Sequence, residues 1–319
     1  RRAPSLDRPR DGQGMETLFA ELAKSLVSGL IMGMVFALVA LGLTVIFGVM
    51  DVVNFAHGEF LMIGMYTTLL TSPILKVDPL VTLPLAGLVG AALGVMCYYG
   101  LVRFLLRGPM VAQLLGTFGL MLTLRNLALL FLGSEPQIVH KGLLVGKSFV
   151  FGPGIVLEST KLAAALLSIV SFALVWWLVR RTKLGMALTA TSLDAEGARY
   201  MGISTERMNA TAWAIGGASV SIAGGLLVNF WPVDPNVGLL FTMIAFATVA
   251  LGGFGSIRGA FYAGVIIGLI VYFPPAWDAL SNFGGLDWPS IHSFKYTFVY
   301  LIYFLIMVFR PQGLFGWKQ

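Results

Sequence analysis

Charged side chains are scarce in this chain. Asp, Glu, Lys and Arg make up 11% of its 319 residues, while 57% are hydrophobic. A soluble domain needs about 25% charged residues to cover its surface, so a soluble body of this size is excluded and a lipid-embedded one is implied. Cysteine is nearly absent. Cys97 is the only one, which rules out an intrachain disulfide and any cysteine-based metal cluster. Lying inside an apolar run, it reads as a small buried hydrophobe. Histidine occurs three times, as His57, His140 and His292 on distant segments, a scatter that argues against a catalytic or metal centre.

What charge there is has a pattern. The formal net charge is +6, and the basic residues cluster at the ends of apolar runs, as in the cytoplasmic loops of membrane proteins. No basic stripe is interleaved with aromatics, so nucleic acid is not an expected partner. Residues 1–14, RRAPSLDRPRDGQG, lack apolar periodicity. They read as a disordered tail outside the fold, ahead of a single transmembrane domain over 15–319.

Apolar segments fall at roughly 22–48, 57–75, 79–106, 110–132, 161–179, 209–231, 237–251, 259–273 and 294–309. A bilayer-spanning helix needs about 20 residues. The expected fold is therefore all-α, a polytopic integral membrane protein with eight or nine transmembrane segments. Arg103, Arg107, Arg180, Arg181, Lys183, Arg258 and Arg310 all fall in loops that alternate onto one side, which puts those loops in the cytoplasm and 133–160 and 274–293 outside. Counting backward puts the N-terminus outside if all nine span, whereas the Arg-rich tail argues the other way. Close helix packing in lipid needs small residues. Gly29-x-x-x-Gly33, Gly90-x-x-x-Gly94, Gly264-x-x-x-Gly268 and a small-residue run from Gly216 to Gly225 supply them.

Two nucleotide motifs fail on spacing. HKGLLVGKS, ending at Ser148, has Gly142 one residue too close to serve as a phosphate loop. GGFGSIRG, from Gly252 to Gly259, has three residues instead of two before its last glycine, with no parallel-sheet pattern around it. No ATP site or other cofactor is expected in this chain, so ATP, if used, is bound by another one.

Ionisable groups within apolar runs are functional candidates. DVVNFAHGEF holds Asp51, Asn54, His57 and Glu59 between two apolar segments. It reads either as an ordinary hairpin loop or as a break between half-helices near the midplane, where polar groups line a cavity. His57 and Glu59 are two residues apart and do not share a helix face, so no metal site is expected. Arg125, mid-segment in MLTLRNLALLF, either pairs with a carboxylate in the bundle or lines a substrate pathway with Asn54, His57 and Glu59. Gly252, Gly253, Gly255 and Ser256 mark a second break. Paired interruptions in two halves point to an inverted internal repeat.

The stretch RRTKLGMALTATSLDAEGARYMGISTERMN, about 180–208, reads as a cytoplasmic loop with a short helix over 193–201. Asp194 and Glu196 suit its positive end, and Gly202 can end it in the left-handed conformation. Leu193, Ala198 and Met201 are the apolar residues free to meet a partner. Glu196 to Gly202 resembles the EAA-x-x-x-G coupling motif of ABC-importer permeases, with Gly197 in place of the middle alanine and Ala198 following.

The stretches ALGLTVIFGVMDVVNFAHGEFLMIGMY, TFGLMLTLRNLALLFLGSEP, ATVALGGFGSIRGAFYAG and FRPQGLFG, in that order, make the rest similar to the LivH/LivM type of branched-chain amino acid permease, with LivH the nearer subtype because of NFAHGE. The resemblance implies a subunit of a bacterial or archaeal inner-membrane importer. Its implied partners are a second permease subunit (LivM-like or a second copy), two cytosolic ATPases and a periplasmic or extracellular solute-binding protein. The coupling helix would dock on the ATPases. A self-sufficient secondary transporter or channel, with His57 and Glu59 as relay groups, is the competing class. A membrane enzyme would need a catalytic constellation that the sequence does not offer.

Overall fold

The computed structural model describes all residues except 1–10, 140, 141, 143, 145, 151–155, 284–288, 311 and 316–319, and the side chains of 11–14, 17, 282 and 283. The first helix, α1 (Asp11–Met50), already begins within the stretch read as a tail. It is followed by α2 (His57–Leu75) and α3 (Leu83–Cys97), which continues through a π turn into the one-turn α4 (Arg103–Leu105). After α5 (Met110–Leu132), the strands β1 (Ser148–Val150) and β2 (Val156–Glu158) form a small antiparallel hairpin with Phe149 opposite Leu157. The second half comprises α6 (Ser159–Arg181), α7 (Lys183–Leu193), α8 (Ala195–Tyr200), α9 (Thr205–Leu227), α10 (Val237–Gly252), α11 (Ile257–Val271), α12 (Pro274–Phe283) and α13 (Lys295–Phe309).

Among the described residues six helical stretches are long and apolar enough to cross a bilayer, from Leu18–Met50 to His292–Phe309; α10 and α11, bent by 120° at their break, bring the number to seven at most. Eight or nine were expected. The difference lies in α2, long enough at 19 residues but burdened with His57, Glu59 and several hydroxyls, and in α10 and α11, each short for a span. The chain is a multi-pass helical membrane protein.

Its centre is built from backbone contact. In lipid, apolar side chains gain little by leaving one apolar medium for another, so helices associate by close packing of small residues. The glycine motifs of α1 and α11 turn out to be two sides of one antiparallel seam, with Gly29 against Leu269, Gly33 against Val265 and Gly48 against Gly255. A Cβ at Gly33 would stand 2.7 Å from the Val265 Cα, nearer than a folded chain allows. The third motif builds a second antiparallel seam, in which Gly90 and Gly94 of α3 lie on Gly217 and Trp213 of α9. Consequently α1 and α9 are mostly buried, whereas α5, α6 and α13 bury few of their residues.

The loops expected in the cytoplasm gather at one end. Arg103 pairs with Glu206 at 3.1 Å, and Arg180 and Arg258 line one cavity with Phe315 of the C-terminal segment. The residues 180–208, read as a loop with one short helix, hold α7 as well as α8. Burial of Leu188 and Thr191 fixes α7, and Thr182 caps it by accepting from the Gly185 N–H. In the other predicted loops, Gln137 bridges to Val233 and α12 occupies part of 274–293.

Candidate functional site

Between α1 and α2 the helix is interrupted at residues 51–56, but α1 is long enough to span by itself and is not a half-helix. Asp51 takes a positive φ of 53°, ending α1, and residues 51–54 belong to no helix or strand. Asn54 turns the chain into α2 by accepting the Ala56 N–H at 3.0 Å on its Oδ1, an Asx turn. His57, 1% exposed, donates from Nε2 to the Val39 carbonyl at 2.8 Å, beside the Cα of Gly42. The imidazole thus fixes the depth at which α2 starts, level with Val39 in the C-terminal part of α1. Neither Asn54 nor His57 faces open space.

The start of α2 meets the start of α10. The Gly58 N–H donates to Thr242 Oγ1 at 2.9 Å, and that hydroxyl donates to the Gly238 carbonyl at 2.9 Å. Neither glycine has room for a side chain, and a Cβ on Gly238 would stand 2.9 Å from the Glu59 carboxylate. Two helix N-termini therefore converge on Glu59, itself in the first turn of α2. Their partial positive charge favours the anion. Arg125 completes the arrangement, its Nη2 donating to Glu59 Oε1 at 2.8 Å. The Glu59 side chain is 0% exposed and that of Arg125 is 14% exposed. Of the two readings for Arg125, pairing with a carboxylate is what the geometry displays.

Three groups here escaped sequence reasoning. Gly238 and Thr242 lie about 180 positions from Gly58 and carry no local signal beyond the turn Asp234-Pro-Asn before α10. Thr117 ties α5 to the break by donating to the Val53 carbonyl at 3.1 Å. Around it Phe55 packs edge-on to Phe118 and also against Phe246. Among the described residues no three His, Cys, Asp or Glu side chains gather in one place.

The second break lies between α10 and α11. Gly253 and Gly255 adopt φ of +94° and +75°, and Ser256 caps α11 by accepting the Gly259 N–H at 3.1 Å. The orphan carbonyls at the end of α10 are met by the C-terminal segment, where the Leu314 N–H donates to Leu251 at 2.8 Å and Phe315 to Gly252 at 3.2 Å. This break touches the end of α1, with the Phe47 and Phe254 rings 4.6 Å apart. Beside it opens a cavity of about 560 Å³ whose other wall is the end of α7, at Thr189, Ser192 and Leu193.

That end of α7 leads into α8. Asp194 is the N-cap, its Oδ1 accepting from Glu196 N at 3.0 Å and Gly197 N at 2.9 Å. At the other end the Ile203 N–H bonds the Ala198 carbonyl and the Gly202 N–H bonds Arg199, both at 2.9 Å, with Gly202 at φ +82°. This is a Schellman stop. One expectation is corrected. Ala198 is 5% exposed and packs inside the chain, so it is not free for a partner, whereas Leu193, Tyr200 and Met201 are more than 80% exposed.

The chain thus combines a buried ion pair at converging helix starts, broken helices and a capped helix with exposed apolar residues, within a multi-pass membrane protein. Residues 25–309 match the model of the family described as branched-chain amino acid transport system, permease component, and the chain belongs to that family. It is 29% identical over 309 residues to the high-affinity branched-chain amino acid transport system permease protein BraD of Pseudomonas aeruginosa, covering 92% of this chain and 95% of that one. It is also 29% identical over 319 residues to LivH of Salmonella typhimurium, covering 95% and 98% of the two chains. To LivM of the same organism it is 29% identical over 308 residues, covering 89% and 68%. No solved structure matches the chain.

Proposed function

We propose that this chain forms half of the membrane pathway of an ABC importer for branched-chain amino acids or a related small polar solute. Two cytosolic ATPases bind the ATP and drive it, a second permease chain (LivM-like or another copy) completes the pathway, and a periplasmic or extracellular binding protein delivers the solute. The chain itself carries no ATPase site and sits in a bacterial or archaeal inner membrane. The observation that carries this reading is α8. Its ends are fixed by Asp194 and Gly202, and the apolar side chains of Tyr200 and Met201 are left exposed. Such exposure is a liability in a lone subunit and an asset at a partner's groove. The end of α7 and the α10–α11 break share one cavity, so a push on α8 has a short path to the broken helices.

The rival reading, a proton relay through His57 and Glu59, has less behind it. His57 is bonded to Val39 and Glu59 to Arg125, so each is engaged elsewhere and not with the other. The test is a double substitution of Glu196→Ala and Gly202→Val in the reconstituted importer. ATP-driven uptake is expected to disappear while the permease stays in the membrane; undiminished uptake would overturn the coupling role.

We further propose that α1, α2, α3 and α5 are related to α9, α10, α11 and α13 by an inverted repeat. Supporting this are the two seams, α1 on α11 and α9 on α3, which would exchange under such a twofold. So is the meeting of α2 and α10 at their first turns, from which they run in opposite directions. In this arrangement the counterpart of 51–56 is the 228–236 connection, in place of the glycine-rich 252–256. A count of nine passes follows if α10 and α11 are separate crossings. Trp231 before α10 and Val271 at the end of α11 line one cavity, so the chain enters and leaves this pair on the same side.

A further inference from the structure

We propose that the arginine-lined cavity between α6, α7 and α11 is the headgroup site of an anionic phospholipid, one acyl chain of which lies in the apolar groove that α6 and α11 share. The site requires only that the chain stands in a bilayer, whatever solute it carries.

The charges come first. Arg180 at the end of α6 and Arg258 in the first turn of α11 both line the cavity of about 560 Å³ beside the second break. Both are exposed, and among the described residues neither has an ion pair or a side-chain hydrogen bond. Arg103 and Arg125, by contrast, each meet a carboxylate. The Ser192 and Ser256 hydroxyls line the same cavity, and the N-terminus of α11 opens on it at Gly255 and Ile257. Two guanidiniums, hydroxyls and a positive helix end suit a phosphate. Among the described residues no Asp or Glu lines the cavity, so the ammonium of a zwitterionic headgroup would find no counterion there.

A lipid, as opposed to a free phosphate, follows from what continues the cavity. Arg258 also lines a groove of about 230 Å³, whose other walls are Ile169, Phe172, Ala173 and Trp176 of α6 and Phe261 and Tyr262 of α11. Phe172 and Phe261 meet edge to face, 5.1 Å apart. The Tyr262 ring in the groove and the Phe315 ring in the cavity lie 5.3 Å apart, a second join between the two. Such a lining offers a free anion nothing and an acyl chain continuous apolar contact. On α6 the groove residues and Arg180 recur every three or four positions, which puts them on one face. From Ile169 to Arg180 the helix advances eleven residues, about 16 Å, against about 15 Å for the hydrocarbon of one leaflet. Ala173 and Tyr262 are exposed, so an acyl chain can enter sideways from the bilayer.

The test reads lipid binding directly. The chain is extracted in mild detergent with whatever subunits accompany it, stripped of native lipid, and titrated with dioleoylphosphatidylglycerol or dioleoylphosphatidylcholine. Lipid bound per chain is counted by native mass spectrometry. One phosphatidylglycerol is expected, held about tenfold or more tightly than phosphatidylcholine. Arg180→Gln with Arg258→Gln should weaken it about thirtyfold, the combined effect of two basic residues on an anionic lipid. Ala173→Trp, which fills the groove, should also displace it, and inorganic phosphate in large excess should not.

Equal retention of the two lipids, or retention unchanged by the double variant, would overturn the proposal and leave a plain apolar groove. Displacement by inorganic phosphate would overturn it in another way, making the cavity a free-anion site. Binding to the lone chain but not to the chain with its subunits would give the arginines to an acidic surface of a partner, and the proposal would fall. Should the double variant fail to fold, Ala173→Trp still decides, because a lipid seated in the groove must be lost and one held elsewhere kept.

Discussion

The junction of α2 with α10 and the α7–α8 elbow break the ordinary partition of residues in opposite directions. At the junction a carboxylate and a guanidinium are withdrawn into the interior; at the elbow, tyrosine, methionine and leucine are held out. The first is nearly satisfied within the chain, by helix starts and by an ion pair. The second is covered by none of the described residues, although both ends of α8 are firmly capped. The contrast separates a site that must hold its geometry alone from one that is completed by another protein. Substitutions should therefore act on stability at the junction and on association at the elbow.

The largest effect is expected from Glu59→Gln. It leaves the Arg125 guanidinium, with a side chain only 14% exposed, facing a neutral amide. Removing one partner of a buried pair costs about 3–5 kcal/mol, which thermal unfolding in detergent would register as a clear fall in Tm. Replacing both, Glu59→Leu with Arg125→Leu, should recover most of that stability, because the desolvation of both charges is removed too. Transport should not recover. A single variant as stable as the unsubstituted protein would mean that the pair is solvated, and the contrast between the two regions would collapse.

The elbow was more legible in the sequence than the junction, for physical reasons. A capped helix is local. Asp194, Glu196 and Gly202 lie within nine residues, and their cap and stop follow from backbone geometry that any short segment obeys. What failed there was tertiary: Ala198 turns inward, and α7 forms because Leu188 is buried against the bundle. The junction joins residues 66 and 184 positions apart. Sequence could mark Glu59 and Arg125 as anomalous in an apolar run, yet nothing along the chain says that they meet. Likewise the glycine pairs of α1 and α11 announced close packing but not that each was the other's partner.

The next effects belong to the elbow. Tyr200→Ala with Met201→Ala removes apolar surface that none of the described residues covers. Stability of the isolated permease should change by no more than about 0.5 kcal/mol, as for surface positions in general. Buried aromatic anchors at interfaces are worth about 2 kcal/mol or more, so affinity for the ATPase subunits, measured by titration in detergent, should fall about thirtyfold. Gly202→Ala acts through the backbone, since an L-residue at φ +82° costs about 1–2 kcal/mol. Its effect on uptake should be smaller than that of the double variant, with partial loss of order at the end of α8. If Gly202→Ala instead lowers the Tm as Glu59→Gln does, the elbow is part of the folded core and is not a docking element.

The smallest effect sharpens the comparison most. Asp194→Ala deletes the side chain that accepts from the Glu196 and Gly197 amides, a loss of about 1 kcal/mol for an N-cap. A six-residue helix has little cooperativity of its own to absorb this. Exchange of those two amides with solvent deuterium should therefore quicken by about fivefold, the factor that 1 kcal/mol represents, while amides in α9 keep their rates. Asp194→Asn should restore most of the protection, because an amide oxygen caps nearly as well as a carboxylate. Uptake should fall less than in the Tyr200 and Met201 double variant, since the docking residues remain and only their support has loosened. Should Asp194→Ala abolish uptake outright while Asp194→Asn fails to rescue it, the carboxylate itself must touch the partner. The elbow would then present charge as well as apolar surface to whatever completes it.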